Sequence, residues 1–89
     1  MKYIERLNVF KRDYKRMVKQ GKDVEKLIKV IKLLAEGKNL DSKYRDHILV
    51  GKFKSRRECH IEPDWLLIYR IDEKSLILER TGSHSELFD

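Results

Sequence analysis

The sequence contains few residues that break or cross-link a chain: its 89 residues include one cysteine, one proline and four glycines. The lone Cys59 excludes an intramolecular disulfide, which is typical of a protein kept in a reducing compartment. No Pro- or Gly-rich stretch offers a linker, and a chain of this length suits a single hydrophobic core. We therefore predict one domain over residues 1–89, located in the cytoplasm.

Long apolar runs are also missing. The longest runs from Trp65 to Tyr69, far short of the roughly 18 residues that a membrane helix needs. The opening MKYIERLN lacks the apolar region that a secretory signal requires. We therefore expect no membrane partner.

Several familiar catalytic signatures are absent as well. The chain has neither the glycine-rich loop that cradles nucleotide phosphates nor the nucleophile elbow of serine hydrolases. Cys59 and His60 are adjacent, and adjacent strand residues point to opposite faces, so they do not suggest a shared zinc ion. We therefore expect no metal and no cofactor.

The first half of the chain predicts a strand and a two-helix hairpin. Residues 3–7 (YIERL) alternate as a short strand does, and Asn8 is a candidate N-cap for the helix that follows. Apolar residues then recur at helical spacing up to Gly21, which suits a left-handed helix end. Asp23 is the candidate cap of a second helix that ends at Gly37, and the short link favours an antiparallel pair.

The second half predicts three strands joined by short turns, at residues 57–61, 65–71 and 75–81. Residues 39–46 are irregular, with Leu40 and Tyr44 as apolar anchors, and DEKS at residues 72–75 supplies the last turn. A short tail follows from Ser83. The fold class is therefore α+β: an N-terminal strand, a two-helix hairpin, and an antiparallel three-strand meander packed on the helices.

Positive charge is concentrated in the first two thirds of the chain. Residues 1–57 carry eighteen Lys and Arg against seven Asp and Glu, whereas residues 58–89 carry three against eight. Seven lysines lie outside the apolar stripes of the helices: Lys11, Lys15, Lys19, Lys22, Lys26, Lys29 and Lys32. A solvated helix surface is one explanation, and a surface that binds nucleic-acid phosphates is the other.

All three histidines, His47, His60 and His84, fall at the ends of predicted strands, where residues distant in sequence can converge. Two imidazoles can act as base and acid in one reaction near neutral pH. Arg80, at the end of the last strand, adds a cation for a phosphate with developing charge. This set fits metal-free cleavage of RNA, in which a 2′-hydroxyl attacks the phosphate and the 5′-oxygen leaves.

Each of these residues also has an ordinary structural explanation. A lone histidine near a turn is most often a surface residue, and Asp64 before a strand is a common turn former. Trp65 is a natural core residue, and Cys59, which alternates with Ile61, is most simply a small buried hydrophobe. Composition and spacing alone indicate a small basic α+β domain suited to binding RNA.

Three ordered motifs give the sequence a more specific resemblance. They are DHILVG at residues 46–51, HIEPDW at residues 60–65 and RTGSHSELF at residues 80–88. With the stretches between them, they resemble the C-terminal half of the YafQ branch of the RelE/ParE toxin superfamily. These proteins are small bacterial ribonuclease toxins of type II toxin–antitoxin systems. The element order also matches the family's RelE-like fold over essentially the whole chain.

The resemblance implies a role for each matched residue. His47 would be the general base on the 2′-hydroxyl, His84 the general acid at the leaving oxygen, and Arg80 the cation that stabilises the transition state. The residues implied to bind and orient the scissile phosphate and its nucleotide are His60, Asp64 and Phe88, with Trp65 bordering them. The basic segment through Arg57 is expected to contact RNA as well.

The resemblance also implies partners. They are mRNA in the ribosomal A site and a cognate acidic antitoxin, with which the toxin would form a hetero-oligomer that binds operator DNA. The alternative on the same fold is a ParE-like toxin that inhibits gyrase by protein contact. The three histidines with Arg80 favour the ribonuclease, because a protein that only binds needs no pair of groups for proton transfer.

Two features depart from the family pattern. Lys52-Phe53 follows Gly51 where close relatives often carry Trp, so contacts there are expected to differ. Arg80 shares alternation parity with Leu76 and Leu78, which would aim it at the core in a regular strand. A β-bulge at the exit of the strand would release it from that parity.

Overall fold

The computed structural model describes residues 1–51 and 55–88 of the chain. A five-stranded sheet with the order β1-β5-β4-β3-β2 forms its centre. The elements are β1 (Tyr3–Arg6), α1 (Asn8–Lys19), α2 (Val24–Ala35), a 3-10 turn (Ser42–Tyr44), β2 (His47–Ile48), β3 (Arg57–Glu62), β4 (Trp65–Ile71), β5 (Ser75–Gly82) and α3 (His84–Phe88). None of the helices in these two ranges is long and apolar enough to span a membrane.

The predicted α+β class and its meander are confirmed. Strands β3, β4 and β5 pair antiparallel in chain order, and β2 extends the sheet beside β3. The N-terminal strand β1 pairs parallel with β5 at the other edge. The chain therefore crosses over through both helices before the meander begins, as a parallel connection requires.

The helix boundaries follow local chemistry with one correction. Asn8 is the first helical residue and not the cap; Leu7 occupies the N-cap and offers no side-chain bond. Asp23 does cap α2, since its carboxylate accepts from the backbone N–H of Glu25 at 3.2 Å. Gly21, at φ +76°, follows α1 in the left-handed conformation that glycine adopts without steric cost.

The predicted strands match the observed ones to within one residue at each end. Leu40 and Tyr44 pack half-buried against the core, as expected for anchors of the irregular segment. Asp72 closes the β4–β5 turn by accepting from the N–H groups of Lys74 and Ser75 at 3.0 and 2.7 Å. The short strand β2 and the terminal helix α3 were not predicted from the sequence.

One face of the sheet packs against α1 and α2, and we call it the helix face. Its buried residues are Cys59, Ile61, Trp65, Leu67, Tyr69, Leu76 and Leu78 from the strands, with Phe10, Met17, Leu27, Val30, Leu34 and Ala35 from the helices. Cys59 is fully buried, and burial raises the pKa of its thiol to about 12. Its prediction as a small buried hydrophobe is confirmed.

The opposite face carries a second, smaller core of Leu66, Ile68 and Leu87, with Leu49 packed against it. Directly opposed residues of an antiparallel pair share a face. His60 opposes Leu66, and the register pairs Glu58 with both Ile68 and His47. We therefore call this side the histidine face.

A β-bulge interrupts the pairing of β4 with β5. Tyr69 opposes Leu78, but its neighbour Ile68 opposes Arg80, so Glu79 is an extra residue on β5. The shift puts Leu78 on the helix face and Arg80 opposite a residue of the histidine face. The bulge that would release Arg80 from the parity of Leu78 is therefore present, as bulges at strand ends often re-aim a side chain.

Asp13 of α1 anchors this irregular end of β5. Its side chain is 3% exposed and accepts from Arg80 Nε at 2.7 Å, Arg80 Nη2 at 3.2 Å, the Thr81 N–H at 3.2 Å and Arg16 Nη2 at 3.1 Å. Removing one partner of such a buried network leaves the others without a counter-charge. The sequence analysis did not single out Asp13.

We predict that Asp13→Asn lowers the free energy of unfolding by about 2–3 kcal/mol, because the amide would present N–H groups to donors that now share a carboxylate. Urea unfolding followed by circular dichroism measures it. Glu73→Gln is the matched control, since Glu73 is exposed in a turn and should change stability by less than about 0.5 kcal/mol. Equal stability of the two variants would contradict the role given to Asp13.

Candidate active site

The three histidines form a continuous row although 37 positions separate the first from the last. The ring centroids of His47 and His60 are 6.4 Å apart, and those of His60 and His84 are 5.8 Å apart. The ring of Phe88 follows at 6.1 Å from His84. The sheet and α3 thus bring together residues from all three sequence motifs, and we call this line of rings the histidine row.

Each imidazole has its Nδ1 next to an oxygen. His47 Nδ1 lies 2.7 Å from the Arg45 carbonyl, and His60 Nδ1 lies 3.2 Å from the Pro63 carbonyl. His84 Nδ1 lies 3.2 Å from Asp64 Oδ1. A carbonyl or carboxylate oxygen only accepts, so Nδ1 carries the proton in each ring. The reactive lone pair or proton is therefore at Nε2 in all three.

His47 differs from the other two at Nε2. That atom lies 2.9 Å from Oε2 of Glu58, whose side chain is only 7% exposed. Both ring nitrogens of His47 therefore face an oxygen acceptor, and a protonated ring can donate to both. Glu58 was not predicted as part of the site, although its two-residue spacing from His60 puts both on one strand face.

The β3–β4 turn explains why His60 and Asp64 sit so close together. A register shift between His60 and Glu62 adds one residue before the turn, and Pro63 and Asp64 close it. The Pro63 carbonyl then fixes His60, which is 9% exposed, while Asp64 projects from the turn toward α3. Residues of the HIEPDW motif thus form the part of the site beside His60 and His84.

Asp64 also fixes the start of α3. Its Oδ1 accepts from the His84 backbone N–H at 3.1 Å and faces Nδ1 of the same residue. The backbone bond and then the ring bond hold the pKa of Asp64 below its usual range, so the carboxylate stays ionised near neutral pH. One side chain therefore sets both the backbone position and the tautomer of His84.

A capping box holds the rest of α3. The Ser83 N–H donates to Glu86 Oε1 at 2.9 Å, and the Glu86 N–H donates to Ser83 Oγ at 3.1 Å. This is the S-x-x-E signature of a helix start, a signal in SHSE that the sequence analysis overlooked. Gly82 lets the helix approach, because a Cβ there would lie 2.9 Å from Glu86 Oε1.

Helix α1 supports α3 from outside the row. Arg16 Nε lies 3.0 Å from Glu86 Oε2, and Gln20 donates to the same oxygen at 2.9 Å. Asp13, Arg16 and Gln20 recur at helical spacing, so one stripe of α1 reaches both β5 and α3. The hydrogen bond from the Ser83 backbone, and then the one from the Gln20 side chain, lower the pKa of Glu86. The stripe of α1 therefore contacts an ionised carboxylate.

Arg80 is bound away from the histidines. Two of its nitrogens are committed to Asp13, which raises the pKa of the guanidinium and leaves 31% of the side chain exposed. It lies on β5 two residues before Gly82, the residue that opposes Leu66 on the histidine face. In the structure, Arg80 therefore lies at the edge of the row and binds Asp13 of α1.

Two residues expected to contact substrate lie on the helix face instead. Trp65 is fully buried and donates from Nε1 to Thr81 Oγ1 at 2.9 Å, so it supports the turn by packing and cannot touch RNA. Arg57 opposes Tyr69 and binds Asp46, with Nη2 to Oδ2 at 3.0 Å. Both lie there because odd-numbered positions of β3 and β4 alternate toward the helices. Burial corrects the role of Trp65 to packing, whereas Arg57, with 32% of its side chain exposed, stays a predicted RNA contact. Lys52-Phe53 lies outside the described residues.

The comparisons with known proteins agree with the three motifs. A family profile described as a bacterial toxin of type II toxin-antitoxin systems, YafQ, matches residues 2–89. The mRNA interferase toxin YafQ of Escherichia coli (strain K12) is 42% identical over 86 residues, which cover 96% of this chain and 94% of the relative.

Two solved structures share the fold. A crystal structure of the E. coli DinJ-YafQ complex contains a chain that is 40% identical, with a TM-score of 0.93 and complete coverage of both chains. A metal-bound toxin from Helicobacter pylori is 49% identical with a TM-score of 0.93, over 99% of this chain and 100% of that one. In residues 1–51 and 55–88 of the present chain, no three His, Cys, Asp or Glu side chains are grouped so as to hold a metal ion.

We predict that Asp64→Ala moves the proton of neutral His84 from Nδ1 toward Nε2, because the oxygen that selects the Nδ1–H tautomer is removed. Long-range ¹⁵N–¹H spectra of the imidazole measure the tautomer directly. Asp41→Ala is the control, since Asp41 caps the remote 3-10 turn. An unchanged tautomer of His84 in Asp64→Ala would show that another group orients the ring.

Proposed function

The chain belongs to the YafQ family of bacterial toxins of type II toxin–antitoxin systems, and we propose that it is an endoribonuclease that cleaves mRNA on the ribosome. The observation that carries the proposal is the histidine row, in which each Nδ1 faces an oxygen and the Nε2 of His47 faces the Glu58 carboxylate. Its K12 relative is named an mRNA interferase, which supports the same reaction class and substrate.

Cleavage of RNA by 2′-hydroxyl attack needs two proton transfers at one phosphate. The 2′-oxygen loses its proton and bonds to phosphorus, the bond from phosphorus to the 5′-oxygen breaks, and the 5′-oxygen gains a proton. The products are a 2′,3′-cyclic phosphate and a 5′-hydroxyl. Neighbouring imidazoles of the row are about 6 Å apart, and His60 lies between the other two, so a phosphate bound at His60 would have a histidine on either side.

His84 suits the base. In the neutral ring, Asp64 holds the proton at Nδ1 and leaves a lone pair at Nε2. As that lone pair takes the proton of the 2′-hydroxyl, the adjacent anionic Asp64 stabilises the imidazolium that forms. The arrangement is the carboxylate–imidazole pairing that enzymes use to orient a base.

His47 suits the acid. When the ring is protonated, it can donate to both the Arg45 carbonyl and the Glu58 carboxylate, and in that form it has a proton to give at Nε2. That proton passes from Nε2 to the 5′-oxygen, and the enzyme's total charge is unchanged because His84 has gained one. This assignment reverses the roles that the family resemblance implied for His47 and His84.

The remaining residues of the row bind and orient. His60 is fixed and nearly buried between the two, and when its ring is protonated Nε2–H can donate to a phosphate oxygen. Phe88, 40% exposed beside His84, offers a face on which a base can stack. Arg80 remains a candidate to stabilise the charge of the transition state if substrate draws part of its guanidinium toward the phosphate.

The proposed partners follow from the relatives and from charge. The E. coli relative forms a complex with DinJ, and we infer a cognate antitoxin for this chain. An acidic one would complement its net charge of +6. Binding of operator DNA by that complex and action in the cytoplasm complete the proposal.

We predict that expression of the chain arrests growth and that His84→Ala does not, because loss of the base should slow cleavage roughly 10²–10⁴-fold. Co-expression of the antitoxin should abolish the arrest by the parent chain. Growth curves and primer extension on total mRNA measure the two effects, with Glu73→Gln as a variant that stays toxic. A fully toxic His84→Ala chain would favour a ParE-like toxin that acts on gyrase by contact.

Substitution of sulfur for the bridging 5′-oxygen tests the assignment of base and acid. A thiolate leaves without a proton, so a ribosome-bound message with this substitution at the cleaved phosphate makes the acid dispensable. We predict that it restores His47→Ala to within about tenfold of the parent chain and leaves His84→Ala as slow as before. Single-turnover rates measure this; rescue of His84→Ala alone would return the acid role to His84.

A further inference from the structure

Helices α1 and α2 lie on the opposite side of the sheet from the histidine row, since they pack on the helix face through residues such as Leu27 and Val30. Only their end near the β3–β4 turn approaches the row: Lys26 Nζ lies 2.8 Å from Glu62 Oε2, and Lys22 Nζ lies 5.7 Å from the Trp65 ring. Further candidates to bind phosphates beside the scissile one are the cations of the histidine face. Arg80 shares it, but Asp13 takes two of its nitrogens.

Two further arginines share that face and meet at one carboxylate. Arg56 Nε lies 2.5 Å from Glu79 Oε1, and Arg70 Nε lies 2.5 Å from Glu79 Oε2. Arg70 is two residues from Ile68 of the second core and opposes Ile77, which fixes its face by alternation. We call these three residues the arginine cluster.

The geometry of the arginine cluster leaves cationic donors for a ligand. Glu79 is 8% exposed at its side chain and engages only the Nε of each arginine. The arginine side chains are 33% and 43% exposed, so their guanidinium ends reach solvent. One carboxylate neutralises one of the two cations, and the cluster keeps a charge of about +1. A single arginine would be enough to neutralise Glu79, so the second arginine supplies the remaining positive charge.

The position of the cluster relates it to the row. Arg70 lies four residues along β4 from Leu66, which opposes His60, and that is about 13 Å at the rise of a strand. An extended RNA strand of a few nucleotides spans this distance. Oriented guanidinium forks are the donors that match phosphate oxygens, and Glu79 fixes their orientation before RNA arrives.

We propose that Arg56 and Arg70, oriented by Glu79, bind a phosphodiester of the RNA substrate a few nucleotides from the cleaved bond. The inference rests on the proposed function and adds a binding site to it. The cluster sets affinity and register along the strand, while the histidine row performs the chemistry. Its ligand is an RNA backbone phosphate, recognised without regard to base.

The test is binding of a short single-stranded RNA whose 2′-hydroxyls are methylated to prevent cleavage, over a series of KCl concentrations. Each phosphate contact on a single strand adds about 0.7 to the slope of log affinity against log salt. For Arg56→Gln/Arg70→Gln we expect a slope smaller by about 0.7, since one phosphate contact is lost, and a roughly tenfold weaker affinity at low salt. Arg56→Lys/Arg70→Lys should keep most of the slope but lose affinity, because the fork is lost and the charge is not.

The control is Lys29→Gln/Lys32→Gln, which removes the same charge from the exposed surface of α2. It should leave the slope within about 0.3 of the parent chain. Equal losses in the two double variants would show a general effect of net charge and would overturn the site. An unchanged slope in Arg56→Gln/Arg70→Gln would overturn it as well.

Loss of both arginines leaves Glu79 buried and unpaired, so the double variant can unfold. The triple variant with Glu79→Gln removes the anion together with its partners and keeps the measurement valid. If the folded triple variant bound RNA with the parent's affinity and slope, the cluster would be structural only. If it lost both, the phosphate site would stand.

Cleavage separates this inference from the proposed function. At saturating message, Arg56→Gln/Arg70→Gln should cleave within about threefold of the parent rate, with the loss confined to the half-saturating concentration. A parent chain that binds RNA through the arginine cluster but never cleaves it would reject the proposed function and keep the site. Normal cleavage with an unaltered half-saturating concentration would reject the site alone.

Discussion

One extra residue in the pairing of β5 with β4 decides which side chains leave the core. Leu78 and Thr81 both oppose core residues of the helix face, Tyr69 and Leu67. Between them the bulge accommodates two residues, so Glu79 can meet arginines of the histidine face and Arg80 can reach Asp13 at the sheet edge. In a regular strand, one of the two would be buried among apolar side chains, at a cost of several kcal/mol for an unpaired charge.

The bulge also links stability to chemistry through α1. The polar stripe of that helix contacts the end of β5 through Asp13 and the terminal helix through Arg16 and Gln20. Since α3 carries His84, its position depends on contacts made from the edge of the sheet. The helix face then supplies the apolar core, and the histidine face remains available for polar and titratable groups.

Periodicity and turn chemistry were sufficient to locate the larger helices and strands in the sequence. Alternation and apolar spacing located β1, both long helices and the meander, because those segments bury one continuous face. The short elements β2 and α3 were not predicted, because segments of two and five residues are too short to show a periodic pattern. The capping pair Ser83 and Glu86 was the one local sign of α3, and it was overlooked in a segment interpreted as a tail.

The sequence was sufficient to predict the histidines of the site, but not the oxygen atoms that their ring nitrogens face. Motif resemblance assembled His47, His60, Asp64 and His84, and the structure brings them into one row. The roles of His47 and His84 depend on which atom faces which oxygen, and spacing does not encode that. Likewise, Arg56 and Arg57 are adjacent in sequence, but strand alternation places them on opposite faces. Arg57 binds Asp46 on the helix face, and Arg56 binds Glu79 on the histidine face.

The central claim is that RNA lies on the histidine face and not on the helices. Side-chain and backbone NMR spectra, recorded while a 2′-O-methylated RNA is added, test it most directly. We expect the imidazole signals of the row and the Nε signals of Arg56 and Arg70 to shift together and to saturate at one equivalent of RNA. Shifts confined to the lysines of α1 and α2, with the imidazoles unmoved, would contradict it.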